Sequence, residues 1–276
     1  MAGAGREPVA GIGGTYPTWL CGDVVVKLFG HSRAWRAGHA AERAAHAVLA
    51  TDPAIAAPRL LAAGQLSDDP VASWPYLITT RMSGVAWQHA GLSPAQRLSL
   101  AAALGRQIRR VHGLRPSGIA APERWPAASV AAAARHSSLP PHLIGQIEDY
   151  LGRLGPFERV FVHGDLMFRH LFVENGRLAG VIDWGDAIVT DRHYEFAKLH
   201  LDLFDCDKAL LRAFLEASDW PIGEDFAHKA MALALCRQAH GLVQHDTIDV
   251  FYTLPARLPL LDIDTLDELA SELFAV

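Results

Sequence analysis

The chain has 276 residues, half of them hydrophobic and a fifth charged, with a formal net charge of −5. That is apolar material enough for one large core or two packed parts, and it excludes a disordered chain. The absence of a basic excess excludes a typical nucleic-acid binder. The charge is uneven: residues 1–82 carry seven bases and six acids, a net of +1, whereas 202–225 carry seven acids and two bases, a net of −5. Cys21, Cys206 and Cys236 are too few and too scattered for a disulfide framework. No apolar run reaches membrane-spanning length, and the MAGAGREPVAG start lacks the basic and apolar regions of a signal peptide. A reducing cytoplasm is therefore the expected compartment.

In chain order, residues 1–10 are small and polar and read as loose. Residues 16–21 and 23–29 read as strands meeting at Gly22, the second through its β-branched run. Residues 38–50 are alanine-rich and read as a helix. After a turn bracketed by Pro53 and Pro58, PRLLAAGQL reads as a strand, 68–73 as a hairpin turn and 75–82 as another strand. Residues 83–92 form a connector. A helix follows, with Ser93 as its cap, Pro94 in the first turn and Gln96 completing a capping box; Leu98, Ala101, Gly105, Ile108 and His112 continue it near 3.6 spacing. Five prolines between Arg115 and His142 mark a long irregular insertion around one alanine-rich segment. Residues 143–154 read as a helix, and 159–183 as short strands and turns, with ENGR at 174–177 as a hairpin turn. From His193 onward the pattern is helical, and no internal repeat is present. The result is a small part over 1–82, mixing strands and helix, and a larger helical part over 83–276. A cleft between two such parts is a common ligand site.

The most informative stretch is VHGDLMFRHLFV at 162–173, with VIDW following at 181–184. Phosphoryl transfer asks for a carboxylate to orient the attacking hydroxyl and take its proton, and for metal ligands that hold the phosphates. Asp165 suits the first task; His170 and Asp183 suit the second, because the strand–turn–strand between them returns the chain to one cleft. Lys27 sits in a strand among apolar residues, where a lysine with a carboxylate partner can hold phosphates. Glu42, in line with Ala45 and Leu49 on the inner helix face, wants such a cation. Gly11, Gly13 and Gly14, with Thr15 beside them, either bring backbone amides near phosphates or form a plain turn. Asp191 suits a cap for the helix near His193. Asp186 either faces a substrate or is a solvated turn residue. The acidic stretch holding Asp202 and Asp205 either walls a polycationic substrate or forms solvated helix faces. The 14 histidines lack HxxxH or HExxH spacing, so a zinc enzyme is not expected.

HGDLMFRH followed by VIDW resembles the catalytic loop and metal-binding segment of the aminoglycoside phosphotransferase superfamily, the antibiotic-kinase branch of the protein-kinase-like fold. VVVKLFG at 24–30, APRLLAAGQL at 57–66, WPYLITTRMSG at 74–84 and IDTLDELASELF at 263–274 look, in that order, like the hygromycin B phosphotransferases. The resemblance spans roughly residues 11–274. It implies an α+β, two-lobed, kinase-like fold with a small N-terminal sheet lobe and a larger, mainly helical C-terminal lobe. It further implies ATP, with GTP as an alternative, and Mg²⁺ or Mn²⁺ as cofactors. Lys27 and Glu42 would anchor the phosphates, and Thr80 and Met82 would form the hinge that offers its backbone to adenine. Asp165 would be the base, His163 a buttress of its loop, and Asp186 an acid that braces the catalytic loop or the substrate region, with Asp202 and Asp205 as candidate substrate contacts from the acidic stretch alone.

Two departures bear on specificity. His170 stands where the family usually has Asn, although macrolide phosphotransferases look similar there. Imidazole suits Mn²⁺ better than Mg²⁺; the alternative is that His170 only packs beside the loop. CRQAHGLVQH at 236–245 is less acidic than in the hygromycin group, which leaves room for a less charged substrate. The expectation is an ATP-dependent O-phosphotransferase acting on an aminoglycoside-type antibiotic such as hygromycin B and conferring resistance. The alternatives are a kinase of macrolides or amino-alcohol metabolites, and a catalytically silent nucleotide-binding module. The expected partner is a small molecule bound by a monomer, without nucleic acid or membrane.

Overall fold

The computed structural model describes residues 7–11, 14–30, 34–68, 73–244 and 248–276. Gly13 and the centre of the expected 68–73 turn, residues 69–72, lie outside the described residues.

The N-terminal part is a sheet of five antiparallel strands, β1 (Val9–Ala10), β2 (Thr18–Cys21), β3 (Val24–Leu28), β4 (Leu60–Gln65) and β5 (Pro75–Thr80), in the order β1-β2-β3-β5-β4. The β-branched run of β3 occupies the central strand, where its stiff side chains fit the pleat. The segment read as loose supplies the edge strand: Val9 pairs with Leu20 and Ala10 with Trp19. A two-residue strand leaves no periodicity to read and exists only through its partner. Helix α1 (Trp35–Leu49) begins slightly earlier than expected and buries Ala45, Val48 and Leu49, which carries Glu42 inward on the same face.

The C-terminal part begins with β6 (Val85–Ala86) and α2 (Pro94–His112). Ser93 Oγ accepts from the Gln96 backbone at 3.3 Å, and the Gln96 side chain accepts from the Ser93 backbone at 2.9 Å, so the capping box forms as expected. Ser93→Ala should cost about 1 kcal/mol, read as a lower midpoint in thermal unfolding; an unchanged midpoint would show that tertiary packing alone starts this helix. The proline-rich insertion carries α3 (Ala127–Ala134). The single helix expected over 143–154 is two, α4 (Pro141–Ile144) and α5 (Ile147–Gly152). The break falls at Gln146, whose side chain donates to the Asp264 carbonyl and accepts from the Leu266 backbone, a tertiary demand that overrides local propensity.

Strands β7 (Arg159–Val162), β8 (Leu171–Glu174) and β9 (Arg177–Val181) follow, with Asn175 and Gly176 at positive φ in the ENGR turn. β8 pairs with both β6 and β9. A fourth strand missing from the sequence reading, β10 (Ile188–Asp191), pairs antiparallel with β7. The helical region then runs through a 3₁₀ turn (Arg192–Glu195), α6 (Phe196–Lys198), a wide π turn (Leu199–Leu203), α7 (Lys208–Ser218), α8 (Phe226–Gln244) and α9 (Leu266–Phe274). The core lies mostly here, around Leu104, Phe161, Trp184, Phe196, Phe214 and Phe251. No helix among the described residues is long and apolar enough to cross a membrane.

Candidate active site

Three elements meet at one ammonium. Lys27 Nζ on β3 lies 2.7 Å from Glu42 Oε2 on α1 and 2.8 Å from Asp183 Oδ1, just beyond β9. Burial disfavours the charge on Lys27, but Asp183 and Glu42 outweigh it and hold the ammonium above its ordinary pKa. Burial also opposes the charge on Asp183; Lys27 and His170 overcome it and hold the carboxyl well below the usual carboxylate range.

Asp183 has φ 63 and ψ 70, a left-handed backbone that is strained for a residue with a side chain. Its neighbour supplies the restraint. The Trp184 indole donates to the Val181 carbonyl at 3.0 Å and packs against His163 and Phe161. A large buried ring thus fixes the turn that aims Asp183 at Lys27.

The loop between β7 and β8 is fixed residue by residue. Glu195, fully buried, accepts from the His163 backbone at 2.7 Å and from the Gly164 backbone at 3.0 Å. His163 Nδ1 accepts from the Asp165 backbone at 3.1 Å, so Nε2 carries the proton and donates to the Ile182 carbonyl at 3.0 Å. Burial lowers this ring's pKa, and its two hydrogen bonds brace the loop. Gly164 has φ +77, and a Cβ there would lie 2.8 Å from the Asp186 carbonyl, so only glycine fits.

His170 spans the two carboxylates. Its Nδ1 is 2.9 Å from the Asp165 carbonyl and 3.3 Å from Asp165 Oδ2; its Nε2 is 3.4 Å from Asp183 Oδ2. A carbonyl oxygen only accepts, so Nδ1 carries a proton; a cation at Nε2 would displace any proton there. Burial disfavours the Asp165 charge, but His170, Arg237 and Lys198 hold its carboxyl below the ordinary range. Among the described residues no group of three or more His, Cys, Asp or Glu could hold a metal alone. His170 Nε2 and Asp183 still fit a divalent cation that takes its remaining oxygens from phosphates and water.

Lys27, Glu42, Asp183, His170, Asp165 and Asp186 form one continuous set of contacts, completed by Arg237 of α8. Asp186 is no solvated turn residue: its carboxylate pairs with buried Arg237 at 3.3 Å. Asp202 is buried. Its Oδ1 accepts from the Phe168 backbone at 3.5 Å, and its Oδ2 accepts from Tyr252 at 3.2 Å and lies 3.9 Å from Lys198. Asp205 is exposed and ion-paired with Arg257. Asp191 caps the turn at His193 as expected, accepting from its backbone at 3.0 Å. Thr80 ends β5, where its Oγ1 accepts from the Arg59 backbone, and the Met82 methyl lies against the backbone of Gly180. Gly14 and Thr15 are exposed ahead of β2. The sequence reading missed Glu195, Lys198 and Arg237. The available signal was a charged residue inside an otherwise apolar stretch, as in YEFAK and ALALCRQA.

The profile of the family described as "Phosphotransferase enzyme family" (APH) matches residues 13–232. Among solved structures, the chain is similar to APH(2")-IIia in complex with GDP and kanamycin, at 17% identity over 98% of this chain and 91% of that chain, TM-score 0.69. It is similar to the streptomycin–ATP ternary complex of APH(2")-IIa, at 20% identity over 86% and 89%, TM-score 0.64. It is also similar to the apoenzyme of macrolide 2'-phosphotransferase MphH from Brachybacterium faecium, at 18% identity over 99% and 93%, TM-score 0.60. At these identities the likeness is one of fold, and it bears out the α+β, kinase-like architecture. Because the family match runs through most of the chain, from ahead of β2 into α8, the chain belongs to this phosphotransferase enzyme family.

Proposed function

We propose that the chain transfers the γ-phosphate of ATP to a hydroxyl of an antibiotic-type small molecule and so confers resistance. The observation that carries this reading is the Lys27–Asp183 contact at 2.8 Å, joined through His170 to Asp165. In it, Lys27, braced by Glu42, takes the phosphates, while Gly14 and Thr15 approach them and Thr80 and Met82 form the adenine hinge between parts divided near residue 82. His170 and Asp183 hold Mg²⁺ or Mn²⁺, which supplies charge neutralisation on the transferring group. Asp165 orients the acceptor hydroxyl and takes its proton. The chain acts as a monomer, and GTP is the alternative donor.

An aminoglycoside such as hygromycin B is the first acceptor to test, since similar structures hold kanamycin and gentamicin. One observation favours a second, less charged class such as macrolides. Each acid expected to meet a polycation already has a cation partner: Asp186 with Arg237, Asp202 with Lys198, Asp205 with Arg257. Paired acids attract an incoming cation less. Mass spectrometry for added phosphate across hygromycin B, kanamycin, erythromycin and choline, with ATP or GTP, separates the classes. Phosphate on none of them, with nucleotide bound, would favour a silent binding module.

His170 offers a nitrogen donor, so Mn²⁺ should support turnover at least as well as Mg²⁺, and His170→Asn should shift the preference toward Mg²⁺. Initial rates with each metal test this. An unchanged rate ratio would remove His170 from the metal site.

A further inference from the structure

Arg237 lies in α8 behind the apolar run AMALALC and is 1% exposed. A guanidinium so far from water is retained only where acceptors compensate it. Its acceptors are all on the two loops that carry the chemistry. Nε donates to the Gly164 carbonyl at 2.9 Å, and Nη2 lies 3.3 Å from Asp186 Oδ2 and 3.5 Å from Asp165 Oδ1. The planar fork meets three acceptors in fixed directions, which a lysine ammonium on a flexible stem does not.

The fork is also aimed by packing. Nη1 is buried without a hydrogen-bond partner. Four residues along α8, a Cβ on Gly241 would stand 2.6 Å from Nη1 and 2.5 Å from Ile248 Cδ1. The bare backbone at 241 is thus the space into which the guanidinium fits.

Resting on the phosphotransferase reading above, we propose that Arg237 is a positioning residue for phosphoryl transfer. It clamps Asp165 and the Gly164 carbonyl from behind and so fixes the catalytic carboxylate, while Gly241 clears its seat. Arg237 touches neither nucleotide nor acceptor in this role; it acts through Asp165. Loss of the clamp should therefore appear in kcat and spare the nucleotide end of the site.

The test measures kcat and the KM for ATP, with hygromycin B, kanamycin, erythromycin and water as acceptors, for Arg237→Met, Arg237→Lys, Gly241→Ala and Asp165→Asn. Misplacement by about 1 Å costs about 10²-fold, so Arg237→Met should lose about that much kcat with its KM for ATP near wild type. Arg237→Lys should fall between. Gly241→Ala changes no polar group and should still lose about tenfold in kcat by displacing the fork. Wild-type kcat in a folded Arg237 variant, or a rise in KM alone, overturns the proposal. If Arg237→Met does not fold, Arg237→Lys and Gly241→Ala decide it by the same criteria. Asp165→Asn separates the two readings. Silent Asp165→Asn beside unaffected Arg237 variants removes only the role of Arg237. Unaffected Asp165→Asn removes Asp165 as the base and the role of Arg237 with it, whereas no turnover by the wild-type protein with any acceptor removes the functional reading itself.

Discussion

Asp165→Ala should lower phosphate transfer about 10²- to 10⁴-fold while ATP binding stays near wild type. The separation follows from the geometry. Lys27, Glu42 and Asp183 make their contacts without Asp165, so the phosphate end keeps its lysine when this carboxylate is removed. On the proposed function, what is lost is the acceptor for the hydroxyl proton, a carboxylate whose charge is held by His170, Arg237 and Lys198 against its burial. A carboxyl kept below the ordinary range is a weak base, which suits a reaction where positioning contributes more than proton abstraction. Steady-state ADP release and calorimetric ATP titration test the two halves. Unchanged turnover would mean that another group takes the proton; lost ATP affinity would mean that Asp165 belongs to the nucleotide end.

Glu195→Ala should be the more damaging change to stability. The Glu195 carboxylate is fully buried and satisfies two backbone N–H groups of the loop, His163 at 2.7 Å and Gly164 at 3.0 Å. Leaving a buried donor unsatisfied costs about 1–3 kcal/mol each, so the pair amounts to about 2–6 kcal/mol of a total near 5–15. Glu195→Gln keeps one accepting oxygen and should lose less. Urea unfolding measures both. A Glu195→Ala variant as stable as wild type would show that water or a shifted side chain satisfies those donors. The same variant should lose activity even where it folds, because the backbone on both sides of Asp165 loses its anchor.

The parts legible in the sequence were those whose signal is local. Asp165, His170 and Asp183 stand in one short stretch whose chemistry requires them near each other. Glu42 betrayed itself as a carboxylate on an apolar helix face. Glu195 was not legible because its partners are backbone amides far along the chain, at His163 and Gly164, and Arg237 because its partners, the Gly164 carbonyl and the Asp165 and Asp186 carboxylates, are equally distant in sequence. A carbonyl or amide has no side-chain identity to read. The left-handed Asp183 was hidden for a similar reason, since Trp184 enforces it through tertiary packing. In the fold, long periodic segments such as α2 were plain. The strands β1, β6 (within the expected 83–92 connector) and β10 were missed because two, two and four residues acquire strand character only from their partners β2, β8 and β7.

The braces of the Asp165 loop, Glu195, Asp202 and Arg237, all come from beyond β10, whereas Lys27 belongs to the five-stranded sheet. A hinge movement of that sheet would stretch the Lys27–Asp183 contact and leave the surroundings of Asp165 as they are. On the proposed function, the sheet's hold on the phosphates would slacken to let spent nucleotide go while the braces behind the Asp165 loop stay in place for the next cycle.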